Sequence, residues 1–136
     1  MIIVDASIAS KWVLKGEMYE KQSFLVLKNH INEIEKITVP DLIFLEIANV
    51  LSTKSKLSWN ETENSLKVIF KANLDTYRVK PKEILTSAEL AKKYQTSVYD
   101  MLYAVIAKNT GSILITADEN FIQKTGFKFV KHIKDV

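Results

Sequence analysis

Short apolar runs, too brief for helices, alternate along this chain with longer amphipathic stretches, and that alternation limits the fold more than any other feature. Ile2-Ile3-Val4 and Ile37-Thr38-Val39 read as short buried strands, the second closed by Pro40. Residues 76–79, 112–116 and 127–130 read as three more. Between them the periodicity predicts a helix over 6–15, with Ile8, Trp12 and Val13 as its apolar stripe, and one over 18–34. The inward face of the latter is expected to be Phe24, Leu27, Ile31 and Ile34. Asp41 can cap a third helix reaching about residue 55. Ser58 and Glu61 have the spacing of a capping box for a fourth, with Leu66, Ile69, Phe70 and Leu74 turned inward. Further helices are expected over 81–94 and 97–108, with a helical turn over 118–124. Strands alternating with helices predict an α/β fold with a parallel sheet covered on both faces.

Residues 1–136 suffice for one domain with a real core, and three glycines and two prolines leave no room for a linker. The absence of cysteine excludes disulfides and thiolate metal sites and fits a reducing cytoplasm. With only His30 and His132 available, a metal site must be built from carboxylates, which points to a hard, oxygen-seeking ion. The opening Met-Ile-Ile-Val-Asp is not expected to be a signal peptide, and no run approaches the ~20 apolar residues of a membrane helix. The net charge of +3 comes almost wholly from lysine, with Arg78 the single arginine. A lysine-rich solubilising surface explains that charge as well as a nucleic-acid footprint does.

Four acids stand out. Glu46 lies within Leu42-Ile43-Phe44-Leu45-Glu46-Ile47-Ala48-Asn49-Val50-Leu51, where an ionised carboxylate is costly unless a cation accompanies it. Asp5 directly follows the first strand and Asp118 follows the strand over 112–116. Ligands of open parallel sheets bind at those carboxyl ends. Asp100 stands three residues after Ser97, at the start of a helix otherwise almost free of charge. Each of these three aspartates can also be explained as a helix cap, and for Asp100 and Asp118 taken singly the cap is the better explanation. Their coincidence argues otherwise, because a right-handed parallel sheet gathers strand ends and helix starts along one edge. Two carboxylates about 5 Å apart repel by roughly 3 kcal/mol at an effective dielectric of about 20. A cleft holding four therefore calls for Mg²⁺ or Mn²⁺.

These blocks carry a resemblance. Ile3-Val4-Asp5-Ala6-Ser7 with Lys11-Trp12, Leu45-Glu46-Ile47-Ala48-Asn49-Val50-Leu51, Tyr99-Asp100-Met101-Leu102-Tyr103-Ala104 and Leu114-Ile115-Thr116-Ala117-Asp118-Glu119-Asn120-Phe121 occur in the order found in PIN domains. The chain resembles in particular the small single-domain toxins of VapBC toxin–antitoxin pairs, over essentially its whole length. The resemblance implies a three-layer α/β/α domain around a short central parallel sheet. It implies Mg²⁺- or Mn²⁺-dependent endonucleolytic cleavage of RNA by metal-activated water, with Asp5, Glu46, Asp100 and Asp118 as metal-site acids. Ser7 and Thr116 match supporting hydroxyl positions, and local backbone capping explains them as well. Glu119 is at most an outer carboxylate. Lys11, Lys15 and Lys54 are candidates to hold the RNA backbone. The resemblance further implies a cognate antitoxin covering a groove, for which Trp12, Ile8 and Phe24 are candidates against ordinary core packing, and a homodimer. Two other readings compete: a non-catalytic RNA- or protein-binding module, and a haloacid-dehalogenase-type phosphohydrolase. The last expects a second aspartate two residues after the first, where this chain has Ser7.

Overall fold

The computed structural model describes residues 1–136. Strands β1 (Ile2–Val4), β2 (Ile37–Pro40), β3 (Asp75–Tyr77), β4 (Ile113–Thr116) and β5 (Val130–His132) pair in the order β3-β2-β1-β4-β5. Every pairing is parallel. Ile3, Val4, Ile37, Thr38, Val39, Leu114 and Ile115 are all buried. Successive strand residues point to opposite faces, so burial of both kinds means that helices cover both sides of the sheet. Helices α1 (Ala6–Ala9), α2 (Glu20–Ile31), α3 (Leu42–Thr53), α4 (Trp59–Lys71), α5 (Pro81–Tyr94), α6 (Val98–Thr110) and α7 (Glu119–Thr125) complete the α/β/α architecture. No helix is long and apolar enough to cross a membrane.

The order of the strands fixes where a ligand can bind. From β1 the chain builds outward through β2 and β3, then returns to lay β4 against the other side of β1. Such a reversal opens a crevice at the carboxyl ends of the two strands that flank it. Val4 sits opposite Ile115, so the chain leaves β1 at Asp5 beside Thr116, the last residue of β4. Helix α6 packs against both strands and is buried continuously from Met101 to Ala107, a rigid backing for that crevice.

Several predicted elements differ from those observed. The helix expected over 6–15 stops after Ala9 and gives way to a 3₁₀ turn over Ser10–Trp12. There the Ser10 hydroxyl donates back to the Ala6 carbonyl at 2.6 Å, and Gly16 at φ +78° reverses the chain. Helix α2 buries Ser23 and Val26, while Phe24, Leu25, Ile31 and Ile34 are exposed. Ser23 explains that orientation: its hydroxyl donates to the Ile8 carbonyl at 3.1 Å, and its carbonyl accepts the Trp12 indole N–H at 3.0 Å. A small polar residue docks the helix, so of the expected inward stripe only Leu27 packs against the core while Phe24, Ile31 and Ile34 face outward. Ile8 and Trp12 belong to the core instead of to a surface groove.

The capping box of α4 is present as predicted, with Ser58 Oγ accepting from Glu61 N at 3.2 Å and Glu61 Oε1 accepting from Ser58 N at 3.1 Å. Ile69 and Leu74 are buried, but Phe70 is exposed, its ring centroid 5.8 Å from that of Phe44. Asp41 precedes α3 without a side-chain capping bond. The last strand begins at Val130 instead of 127, because Phe127 packs edge-on against Tyr94 and stacks on Phe129. Glu83, which the sequence did not single out, ties β3, α5 and α6 together. It accepts from Lys80 N (2.9 Å), Tyr77 Oη (2.9 Å) and Asn109 Nδ2 (3.2 Å).

Candidate active site

Asp5 is both a helix cap and the buried centre of a polar cluster. Its Oδ1 accepts from Ser7 N (3.0 Å), Ser7 Oγ (2.5 Å) and Ile8 N (3.3 Å), and its Oδ2 accepts from Thr116 Oγ1 (2.5 Å). The hydroxyl protons have assignable directions. Ser7 Oγ accepts the Ala117 N–H at 2.9 Å, and Thr116 Oγ1 accepts the Asp118 N–H at 3.0 Å. Each hydroxyl therefore points its single proton at Asp5. These bonds stitch the end of β1 to the end of β4. Even so, burial pushes the Asp5 carboxyl up to about 6, and the negative charge of Asp100 adds to the shift. The bonds from Ser7, Thr116 and Ile8 offset only part of it.

The other acids approach from three further elements. Glu46, half-buried on α3, accepts a bond from Tyr103 Oη at its Oε1, 2.5 Å away. Burial raises its pKa, the Tyr103 bond lowers it, and the charge of Asp100 raises it further. Asp100, half-buried in the first turn of α6, has its backbone N–H capped by Ser97 Oγ at 3.0 Å. Its carboxyl is raised by burial first, with Ser97 tempering and the charge of Asp118 adding. Asp118 caps α7, its Oδ1 accepting from Phe121 N at 3.0 Å. Asp100 thus shares electrostatic coupling with all three of the other acids. Sequence reasoning missed Tyr103, a fully buried phenol whose ionisation is suppressed by burial and by the charges of Glu46, Asp5 and Asp100. Its position one turn after Asp100 on α6 was the available signal.

No ion pair in the protein involves any of the four acids. Lys15 and Lys54 are exposed, and Lys11 is buried without an acidic partner. Glu119 turns away to Lys134 Nζ at 2.8 Å, with His132 Nε2 at 4.0 Å, so it adds no carboxylate to the cluster. His30 bonds to Ile37 N and the Asn73 carbonyl, while His132, paired in register with Thr116, accepts from Lys134 N at its Nδ1 and turns its Nε2 toward Glu119.

The donor set suits a hard divalent cation: all oxygen, no sulfur, no competing ammonium. Glu46 Oε2, Asp118 Oδ2 and both Asp100 oxygens accept no protein hydrogen bond, and none of them is a sealed, unsatisfied atom. As placed, however, no three Asp, Glu or His side chains stand close enough together to hold a metal ion. Asp5 and Glu46 are held by their donors, and Asp100, whose carboxylate oxygens accept no protein hydrogen bond, is the acid free to turn toward them.

A family model described as PIN domain matches residues 2–127. Among solved structures, PAE2754 from Pyrobaculum aerophilum superposes with a TM-score of 0.74 at 20% identity, covering 98% of this chain and 91% of that one. The Mycobacterium tuberculosis VapC20, a sarcin–ricin loop cleaving toxin, gives 0.70 at 13% identity, covering 96% and 99%. FitAcB from Neisseria gonorrhoeae gives 0.66 at 15%, covering both chains in full. At such identities the likeness is one of fold. No curated protein matches the sequence.

Proposed function

The chain belongs to the PIN-domain family, and on that footing we propose that it is a metal-dependent endoribonuclease, the toxin of a type II toxin–antitoxin pair. We read residues 1–136 as one domain of that family working in the cytoplasm. Asp5, Glu46, Asp100 and Asp118 hold Mg²⁺ or Mn²⁺, with Ser7 and Thr116 supporting Asp5. One observation carries the reading: four carboxylates coupled through Asp100 at the carboxyl edge of the sheet, three of them pushed up by burial, have no cationic side chain paired with them. Such a cluster is stable as an anion only with a cation added.

Held by Asp5, Glu46, Asp100 and Asp118, such an ion would supply Lewis-acid activation of water and neutralisation of charge on the phosphate. The protein's own contribution is positional. The Ser7 and Thr116 hydroxyls and the first amides of α1 fix the plane of Asp5. Asp100, on α6, raises the carboxyls of Asp5 and Glu46 by its charge and is itself raised by that of Asp118, which supports a shared site centred on it. Exposed Lys15 and Lys54 hold the RNA backbone as point charges, which makes binding weaken steeply with added salt.

The antitoxin reading draws on α2. Its outward stripe of Phe24, Leu25 and Ile31 lines, with Leu27, Lys21 and Lys28, an open hollow of ≈ 530 Å³. An apolar strip flanked by ammonium groups suits an amphipathic segment carrying acidic residues. The homodimer implied by the resemblance belongs to the same proposal, and light scattering of the purified chain tests it. The decisive experiment is incubation of total RNA with the protein and Mn²⁺, with and without chelator. Cleavage abolished by chelator and by Asp5→Asn is expected. Undetectable cleavage, with RNA binding indifferent to Asp100→Asn, identifies a binding module instead.

A further inference from the structure

Tyr103 is fully buried, and its hydroxyl spends its only proton on Glu46, 57 positions earlier in the chain, at 2.5 Å. A buried phenol needs an acceptor, and a backbone carbonyl is the uncharged choice. Here the acceptor is instead an acid of the site, on a different helix. Tyr103 stands one turn after Asp100 within the continuously buried stretch of α6. Helix α6 therefore supplies one acid directly and grips a second through the phenol. The bond occupies Glu46 Oε1 and leaves Oε2 free of any protein donor.

We propose that Tyr103 is a positioning residue of the metal site: its hydroxyl locks the Glu46 carboxylate so that Oε2 alone is offered to the divalent ion. The proposal rests on the metal-site reading given above. Side chains that hold a ligating group by hydrogen bonding contribute about 10- to 100-fold to metal affinity or activity. The loss on Tyr103→Phe is expected in that range, and it runs entirely through Glu46.

The test is Mn²⁺ binding by isothermal titration calorimetry on the full-length protein, in the absence of RNA, for wild type, Tyr103→Phe, Glu46→Ala and the double variant. The expected result is weakening of about 10- to 100-fold for Tyr103→Phe, with no further weakening when the same change is made in the Glu46→Ala background. A packing role for the ring predicts equal losses in both backgrounds, and that outcome overturns the proposal. So does wild-type affinity in Tyr103→Phe. Near-ultraviolet difference spectra give a second readout that does not depend on Tyr103→Phe folding: Mn²⁺ perturbs a tyrosine band in wild type but not in Glu46→Ala. An unperturbed wild-type spectrum during saturable Mn²⁺ binding also overturns it. Mn²⁺ binding that is lost in Asp5→Asn but indifferent to Tyr103→Phe removes the role of Tyr103 and leaves the site intact. A wild type that binds no Mn²⁺ removes both.

Discussion

Asp5 and Glu83 are both buried carboxylates with several donors around them, yet they are pushed in opposite directions. Burial drives each upward. At Glu83 the Lys80 N–H, the Asn109 amide, the Tyr77 hydroxyl and the Lys80 ammonium together outweigh it and hold the group below its usual value. At Asp5 four donors do not outweigh the cost of burial, to which Asp100 adds its own negative charge. Even the tyrosines correspond: Tyr77 donates to Glu83 as Tyr103 does to Glu46. The difference teaches that donors and neighbouring charges act together against burial: at Glu83 a positive charge joins the donors, whereas at Asp5 a negative one opposes them and no ion pair supplies a positive charge. An acid cluster left without one is the feature on which the proposed metal site rests.

The largest effect that sharpens this contrast is on catalysis. Asp5→Asn or Asp100→Asn is expected to reduce Mn²⁺-dependent RNA cleavage by about 10³-fold or more, equivalent to about 4 kcal/mol, measured as the initial rate on a defined RNA. Glu83→Ala should spare the chemistry and damage the fold instead. Losing a charged acceptor shared by three donors costs about 4 kcal/mol in urea denaturation, and a loss below about 1 kcal/mol breaks the comparison.

Next comes pH. Asp5 moves from an ordinary 3.8 to about 6 in the folded protein, so the folded state holds the extra proton between those values. Stability of the metal-free protein therefore falls as pH rises through that window, by up to about 3 kcal/mol. Glu83, held low, acts oppositely and loses its contribution as pH falls. Comparing wild type with Asp5→Asn isolates the first effect: the wild type should lose ground steadily between pH 4 and pH 7, and a constant difference contradicts it. Smallest is Tyr77→Phe, expected to cost about 1–2 kcal/mol of stability while leaving the cleavage rate per folded molecule unchanged.

What the sequence disclosed divides along the range of the interactions. The strands at Ile2–Val4 and Ile37–Pro40 and the caps at Ser58, Ser97 and Asp118 are local, each decided by residues within one turn or one pleat, and the structure contains them. The outward stripe of α2 was illegible because periodicity shows that a helix has an apolar face, not which way it docks. A serine bonding to the Ile8 carbonyl decided the matter. The bonds from Thr116 to Asp5 and from the Ala117 N–H to Ser7 join positions more than a hundred residues apart, as the bond from Tyr103 to Glu46 joins two helices, and no spacing rule reaches that far. Glu83 went unremarked because a lone glutamate near a helix start is ordinary until its three donors are seen to converge.

The order of the strands also has a consequence for timing. The central strand is the first to be made, but the neighbour that completes its crevice is made only after six helices have been synthesised. A chain still on the ribosome short of Thr116 and Asp118 lacks one whole wall of the site. Whatever chemistry the crevice performs is therefore withheld until β4 has been made and has docked beside β1.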